Sequence, residues 1–213
     1  MKRVSFQGER GAYSEAALKS FFDDKIETTS CTTFAEALKN TEDNTTDSCV
    51  LPIENSLEGS VGESNDLLLS TKLNVVGEIY YRIRHCLIGI GSIKDTDTVY
   101  SHPQALGQCR QFIQKHSLKT VPSYDTAGSV KIIKDLNKTN IACIASKRAA
   151  EIFDVPIIHQ GIEDNTNNYT RFLVLSKEKN DEIERSKTSI IFSVKHEAGA
   201  LHKIINEFYQ YKV

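Results

Sequence analysis

The sequence predicts an α/β protein of two lobes, each a mainly parallel sheet with helices on both faces. Three observations carry this. Short β-prone runs alternate with helix-period segments from residue 3 to residue 176, and strands separated by helices build parallel sheets. The stretches Val75–Ile83 and His85–Gly89 are joined without a strong turn signal, so a long strand can pass from one lobe to the other. The 213 residues suffice for one large or two small domains, at roughly 100–200 residues per domain.

In chain order, Arg3–Gln7 reads as a strand and Ser14–Phe22 as a helix with Ala16, Ala17 and Phe21 on one face. Glu27–Ser30 is a short strand, and Thr33–Lys39 is a helix capped by Thr32 or Thr33. Asp47–Leu51 forms a buried strand, followed by the junction Pro52–Ser60 and an amphipathic helix over 61–70. After the crossing, Thr98–Tyr100 is a strand, Pro103–His116 a helix, Lys119–Pro122 a strand and Ala127–Leu136 a helix. Ile141–Ala145 is a buried strand, Lys147–Ile152 a helix, Pro156–His159 a strand and Thr170–Leu175 the last strand of the main body.

The main body is expected to span 1–178, with one lobe from about 1–77 and 160–178 and the other from 78–159. Lys177–Lys187 is a charged linker without glycine. Beyond it, Thr188–Val194 alternates Ile190, Phe192 and Val194 against Ser189, Ile191 and Ser193, and Glu197–Leu201 opens a helix through Tyr209. One strand and one helix bury too little to fold unaided. The segment 188–213 therefore reads as an incomplete α+β module, or as a piece that packs on the main body or on another chain.

Composition removes several function classes. A net charge of -2 offers no global field for nucleic acid or anionic lipid. No apolar run approaches the roughly 18 residues of a membrane span, and the N-terminus enters a strand directly, which predicts a cytoplasmic protein. The five cysteines (Cys31, Cys49, Cys86, Cys109, Cys143) are scattered in apolar company and read as reduced thiols. The histidines lack ligand spacing, so no metal site is expected. A Ser/His/Asp set, a P-loop and a zinc-binding HExxH are missing.

What remains is a set of strand-to-helix junctions rich in neutral donors. Gly8–Ser14 follows the first strand; its glycines permit close backbone approach and Ser14 can cap. Pro52–Ser60 carries Glu54, Asn55 and Ser60 where a strand meets a helix. In Ser101–Cys109, Ser101 is an N-cap with Pro103 at the first helical position, and Gln104 and Gln108 share one helix face. His102 beside this cap reads as structural. Tyr124–Ser129 pairs a cap with an exposed first turn containing Thr126 and Ala127, and Ser146 opens the helix after 141–145. Capping alone accounts for Ser14, Thr126 and Ser146 taken singly. Asn165–Phe172 is an amide-rich loop entering a strand, and its Arg171 either pairs with a carboxylate such as Glu54 or meets a ligand. Open α/β sheets bind ligands outside the carboxyl ends of their strands, and helix N-termini hold anions.

Together these junctions resemble the prephenate dehydratase family over roughly residues 3–176. The matching elements are Gly11-Ala12-Tyr13-Ser14, Pro52-Ile53-Glu54-Asn55-Ser56 with Gly59-Ser60-Val61, and Ser101-His102-Pro103-Gln104 with Gln108-Cys109. Asp125-Thr126-Ala127 and Asn168-Tyr169-Thr170-Arg171-Phe172 complete the set. Gly199-Ala200-Leu201-His202 looks like the start of an ACT regulatory domain, which in relatives binds phenylalanine; the later Glu-Ser-Arg-Pro motif is absent here.

The resemblance implies a periplasmic-binding-protein-like (type II) fold with the site between the lobes. It also implies conversion of prephenate to phenylpyruvate, carbon dioxide and water in phenylalanine biosynthesis, with no cofactor. By the same resemblance Thr170 serves the leaving hydroxyl, with Asn55, Ser101 and Gln108 as catalytic donors. Ser14, Glu54, Ser60, Thr126, Ala127, Ser146, Arg171 and Phe172 are expected around the substrate, Arg171 or a neighbour polarising Thr170 and Phe172 offering an apolar surround or core packing. L-Phenylalanine is the expected effector of a complete ACT domain at Gly199, Ala200, Leu201 and His202, and a homodimer or homotetramer the expected assembly. Arogenate dehydratase is the alternative within this class; a non-catalytic two-lobed binding module is the alternative outside it.

Overall fold

The computed structural model describes residues 1–22, 25–180 and 187–212. Residues Met1–Asn180 form one compact unit and Asp181–Val213 a second. The chain enters through β1 (Lys2–Gln7), α1 (Tyr13–Phe22), β2 (Ile26–Cys31), α2 (Phe34–Glu42), β3 (Ser48–Asn55), the short β4 (Gly59–Ser60), α3 (Gly62–Ser70) and β5 (Asn74–Arg82). It crosses through Ile83, Arg84 and His85 into β6 (Cys86–Ile88), β7 (Thr98–Ser101), α4 (Pro103–Gln108), α5 (Arg110–Lys115) and β8 (Lys119–Pro122). There follow α6 (Thr126–Leu136), β9 (Ile141–Ala145), α7 (Lys147–Phe153) and β10 (Ile157–Gln160), after which residues 161–168 return the chain to β11 (Tyr169–Ser176).

Two sheets result, ordered β2-β1-β3-β11-β5 with β4 attached to β3, and β10-β6-β9-β7-β8. Strands joined by helices pair in parallel, as β1 does with β2 and β3, and β7 with β8 and β9. The strands next to each crossing run antiparallel: β11 lies between β3 and β5, and β6 between β9 and β10. Each sheet is therefore mixed, because a chain that leaves a lobe and comes back re-enters its sheet from the opposite end.

Alternation along the strands fills two cores per sheet. In the first lobe Val4, Phe6, Val50, Phe172 and Val174 pack with Ala17 and Leu18 of α1, while Cys49, Leu51, Leu173 and Leu175 pack with Ala37 and Leu38 of α2. In the second lobe Cys143 and Ala145 meet Val130 and Ile133 of α6, while Ala142 and Ile144 meet Ala105, Cys109 and Ile113.

Three local expectations change. Pro52–Asn55 continues β3 instead of forming a loop, its backbone held by β11 on one side and β4 on the other. The helix expected over 103–116 is divided at Cys109 (φ −118°, ψ 24°). The N–H of Gln111 in the new first turn is met by Asp164 Oδ1 at 3.0 Å, a partner from the return crossing that local sequence does not announce. Finally, Thr188–Val194 is not a strand: Ile190 and Phe192 are exposed, and no strand among the described residues pairs with it. Alternation favours a strand only when another strand supplies the ladder. The second unit's helix, α8 (Ala200–Gln210), begins after Gly199, whose left-handed φ of +83° stops it from starting at Glu197.

Candidate functional site

The antiparallel register of β3 with β11 sets Thr170 opposite Asn55. Directly opposed side chains share a face of the sheet, and Asn55 Nδ2 donates to Thr170 Oγ1 at 3.0 Å. The same nitrogen donates to Asn168 Oδ1 at 2.8 Å and to the Tyr169 carbonyl at 3.2 Å. Asn55 Oδ1 accepts from the backbone N–H groups of Leu57 (2.9 Å) and Glu58 (3.1 Å). Two main-chain donors on one oxygen leave a single orientation for this amide. Thr170 Oγ1 is thus an acceptor towards Asn55 and keeps its own hydrogen for another partner.

From Asn168 the network crosses to the second lobe. Asn168 Nδ2 donates to Gln108 Oε1 at 3.0 Å, and Gln108 Nε2 donates to Glu58 Oε1 at 3.2 Å. His85 Nε2 lies 2.8 Å from Gln108 Oε1, and His85 Nδ1 lies 2.8 Å from the Tyr13 hydroxyl oxygen. That hydroxyl is also 2.9 Å from the Arg84 carbonyl. The two crossings hold each other here: His85 N–H donates to Glu163 Oε2 at 2.9 Å, and the His85 carbonyl accepts from Gly161 and Ile162.

Tyr13, Asn55, His85, Gln108 and Thr170 line a cavity of about 120 Å³ together with Ile83, His102, Gln104, Ala105 and Thr126. His102 Nδ1 accepts from the Gln104 N–H at 3.3 Å and so caps α4. Burial pushes the His85 imidazole below its ordinary value, against an upward pull from Gln108 and Glu163. Burial also lifts the Tyr13 phenol well above its usual range, so it stays a neutral donor. A larger depression of about 470 Å³ lies at the other end of the first sheet, among Met1, Lys2, Asp47 and Lys177, and collects none of the expected residues.

Asn55, Gln108, Thr126 and Thr170 line the cavity. Ser101 lies behind it, fully buried, its hydroxyl donating to the Ile144 carbonyl at 2.6 Å; the cap of α4 is His102 instead. Ser146 caps α7 through the Ala149 N–H (2.9 Å) and donates to the Gly11 carbonyl (2.6 Å), a bridge between lobes. Ala127 and Phe172 are core residues, each 2 % exposed. Ser14 sits half-buried in the first turn of α1 and Ser60 is exposed in β4. Arg171 points to the sheet face opposite Thr170, as neighbours on a strand must. Its guanidinium bonds Glu78 and lies 3.9 Å from exposed Glu54, so neither charge reaches the cavity. The polariser of Thr170 in this geometry is Asn55. Gly199, Ala200, Leu201 and His202 open α8 in the second unit.

The helix-start donors also differ from expectation. Gly11 N–H is taken by Glu15 Oε2 at 2.6 Å and Gly128 N–H by Asp125 Oδ1 at 2.6 Å, while Gly59 and Ser60 pair as strand. Tyr13 and Asn168 stand inside recognised junctions without having been singled out, and His85 carries no cap or turn signature; only the crossing it sits in, flanked by apolar runs, points to it. Among the described residues no three His, Cys, Asp or Glu are grouped to hold a metal ion, and no helix is long and apolar enough to cross a membrane.

The prephenate dehydratase family model matches residues 4–180. An Arabidopsis thaliana protein named arogenate dehydratase/prephenate dehydratase 1 is 41% identical over 213 residues, covering 97% of this chain and 53% of its own length. The chain spans about half the length of the curated relatives it matches in the first instance. The solved structure of the quorum-quenching acylase GqqA is 30% identical with a TM-score of 0.82, covering 98% of this chain and 77% of that one. Prephenate dehydratase from Arthrobacter aurescens in complex with L-Phe has a TM-score of 0.82 at 24% identity, covering 98% and 72%.

Proposed function

This chain belongs to the prephenate dehydratase family, and from the site it builds we propose that it is a hydro-lyase that converts prephenate to phenylpyruvate. The observation that carries the reading is the Asn55–Thr170 pair facing a cavity between the lobes. In the reaction the bond from the ring to its carboxylate breaks, its electron pair enters the ring, and the ring hydroxyl departs. Carbon dioxide, water and phenylpyruvate account for every atom, with one proton drawn from solvent as the prephenate dianion becomes a monoanion.

Aromatisation provides most of the drive, so the protein's work is to orient the ring and assist a poor leaving group. Thr170 Oγ1–H donates to the departing oxygen. The hydrogen bond that Thr170 accepts from Asn55 strengthens that donation, since linked hydrogen bonds polarise one another. A preformed donor of this kind contributes about 10²–10³ in rate. Gln104, Gln108 and His102 offer further donors across the cavity, and Ile83 and Ala105 an apolar wall; both suit a ring whose one carboxylate must lose its charge. Cytoplasmic placement and a homo-oligomer belong to the same proposal, as does 188–213 as the opening of a phenylalanine-binding ACT module.

Arogenate is the second reading, supported by the double name of the Arabidopsis relative. Arogenate carries an amino group where prephenate has its keto oxygen, so a cavity acceptor near that position would favour it. An acylase activity like that named for GqqA needs a nucleophile activated by a base. Thr170 Oγ1 instead meets an amide donor, so Thr170 is not activated in that way. Parallel assays of phenylpyruvate from prephenate and phenylalanine from arogenate decide between the two substrates. Tight binding of either without product supports a binding module instead.

A further inference from the structure

We propose that His85 is a positioning residue of this site: held as the Nε2–H tautomer by Tyr13, it fixes the Gln108 amide, which lines the cavity together with Thr170. This deepens the dehydratase reading and rests on it. The frame is set by groups that do not titrate. The N–H groups of Leu57 and Glu58 both point at Asn55 Oδ1, so Asn55 Nδ2 must face Thr170 and Asn168. Asn168 then presents Oδ1 to Asn55 and Nδ2 to Gln108, and Gln108 must answer with Oε1. Its Nε2 falls towards the Glu58 carboxylate, which only a donor can satisfy. With Gln108 Oε1 as acceptor, the nitrogen 2.8 Å away, His85 Nε2, has to carry a hydrogen. Nδ1 of the neutral ring then accepts from Tyr13, whose single hydroxyl hydrogen turns from the Arg84 carbonyl to the imidazole.

The opposite tautomer places two lone pairs face to face in a site where His85 is 2 % exposed, and buried unsatisfied groups are costly. Turning Gln108 over to relieve this sets its NH₂ against the Asn168 NH₂. Turning Asn168 as well sets two NH₂ groups against each other at Asn55, which its two main-chain donors hold in place. The conflict therefore finds no relief along this chain of amides. His85 acts on the chain through Gln108, so the role proposed for it is to position.

The test uses His85→Leu, which removes both ring nitrogens, and His85→Gln, whose amide NH₂ can replace Nε2–H. Misalignment of a catalytic group by about 1 Å can cost ~100-fold. His85→Leu is expected to lose about 30- to 100-fold in kcat with KM within about threefold, the pattern of an interaction made in the transition state. His85→Gln is expected to recover most of that loss, which a space-filling role would not produce. Imidazole ¹⁵N shifts of the unmodified protein are expected to show Nε2 protonated and Nδ1 bare. A folded His85→Leu with unchanged kcat overturns the proposal, and so does an Nδ1–H ring, a reading that holds even if the leucine variant does not fold. Wild-type protein inert on both prephenate and arogenate ends the dehydratase reading instead, which separates the two failures.

Discussion

Thr170 Oγ1 accepts a hydrogen bond from Asn55 Nδ2 at 3.0 Å, across the antiparallel pair that joins the first lobe's third strand to the strand returning from the second. Residues 115 positions apart thus become neighbours through register alone. Asn55 gains its orientation from its own turn, and Thr170 gains a polarised hydroxyl from Asn55.

Asn55→Asp tests this relationship. The carboxylate replaces an N–H donor with an acceptor, so Thr170, Asn168 Oδ1 and the Tyr169 carbonyl all lose their donor while the main-chain contacts from Leu57 and Glu58 remain. The expected result is a fall in kcat of about 100-fold or more with a lower thermal midpoint, read by steady-state kinetics and calorimetry. Asn55→Asp at wild-type kcat would show that Thr170 needs no donor behind it.

Arg171 is expected to matter for stability more than for binding. Its guanidinium pairs with Glu78 and Glu54 on the face turned from the cavity. Arg171→Gln removes the guanidinium bonded to partly buried Glu78, a loss of about 1–3 kcal/mol, visible as a lower denaturation midpoint with KM within about threefold. A large rise in KM at unchanged stability contradicts this placement.

Much of this fold was legible from local chemistry, and the failures have a common cause. Buried runs such as Ile141–Ala145 and caps such as Thr33 and Ser146 announce themselves because their partners lie a few residues away, whereas α6 is capped by Asp125 and not by Thr126. The break at Cys109 depends on Asp164 from the far side of the chain, and the exposed stretch Thr188–Val194 finds among the described residues no second strand of the kind its alternation presupposes. The site divides in the same way. Asn55, Gln108 and Thr170 stand in recognisable junctions, whereas His85 and Asn168 acquire their roles only where the two crossings meet. Ser101 carries a cap-type signal, yet its hydroxyl binds the Ile144 carbonyl, while Ser146 caps α7 and also binds the Gly11 carbonyl. Of the two expected polarisers of Thr170, Arg171 or a neighbour, the alternation of strand faces leaves the neighbour.

Gly11 is expected to tolerate no side chain. Its φ is +92°, and a Cβ would fall 2.7 Å from Ala149 Cα of the opposite lobe. Left-handed backbone costs about 1–2 kcal/mol for a residue with a Cβ, and here the clash adds to it. Gly11→Ala should lower the melting temperature by several degrees and weaken activity through misplaced lobes. A variant as stable as wild type would mean that the lobes do not meet at this point.

Acid should weaken the fold partly through His85. Burial holds its folded pKa below the ordinary 6.5, so between those values the unfolded chain binds a proton that the folded chain refuses. Stability therefore rises with pH across that window: the contribution is complete above the ordinary value and is lost as pH falls towards the folded one. Denaturant unfolding of wild type and His85→Gln between about pH 7 and pH 5 should show the steeper decline in wild type. Equal declines would mean that His85 titrates normally.

The most direct measurement is product formation from prephenate and arogenate by the wild type, Thr170→Ser and Thr170→Ala at equal folded concentration. Turnover by the wild type, retention of much of it by serine, and a loss of about 100-fold or more with alanine are the results expected if the Thr170 hydroxyl assists the departing oxygen. A folded Thr170→Ala protein that releases product at the wild-type rate contradicts that role.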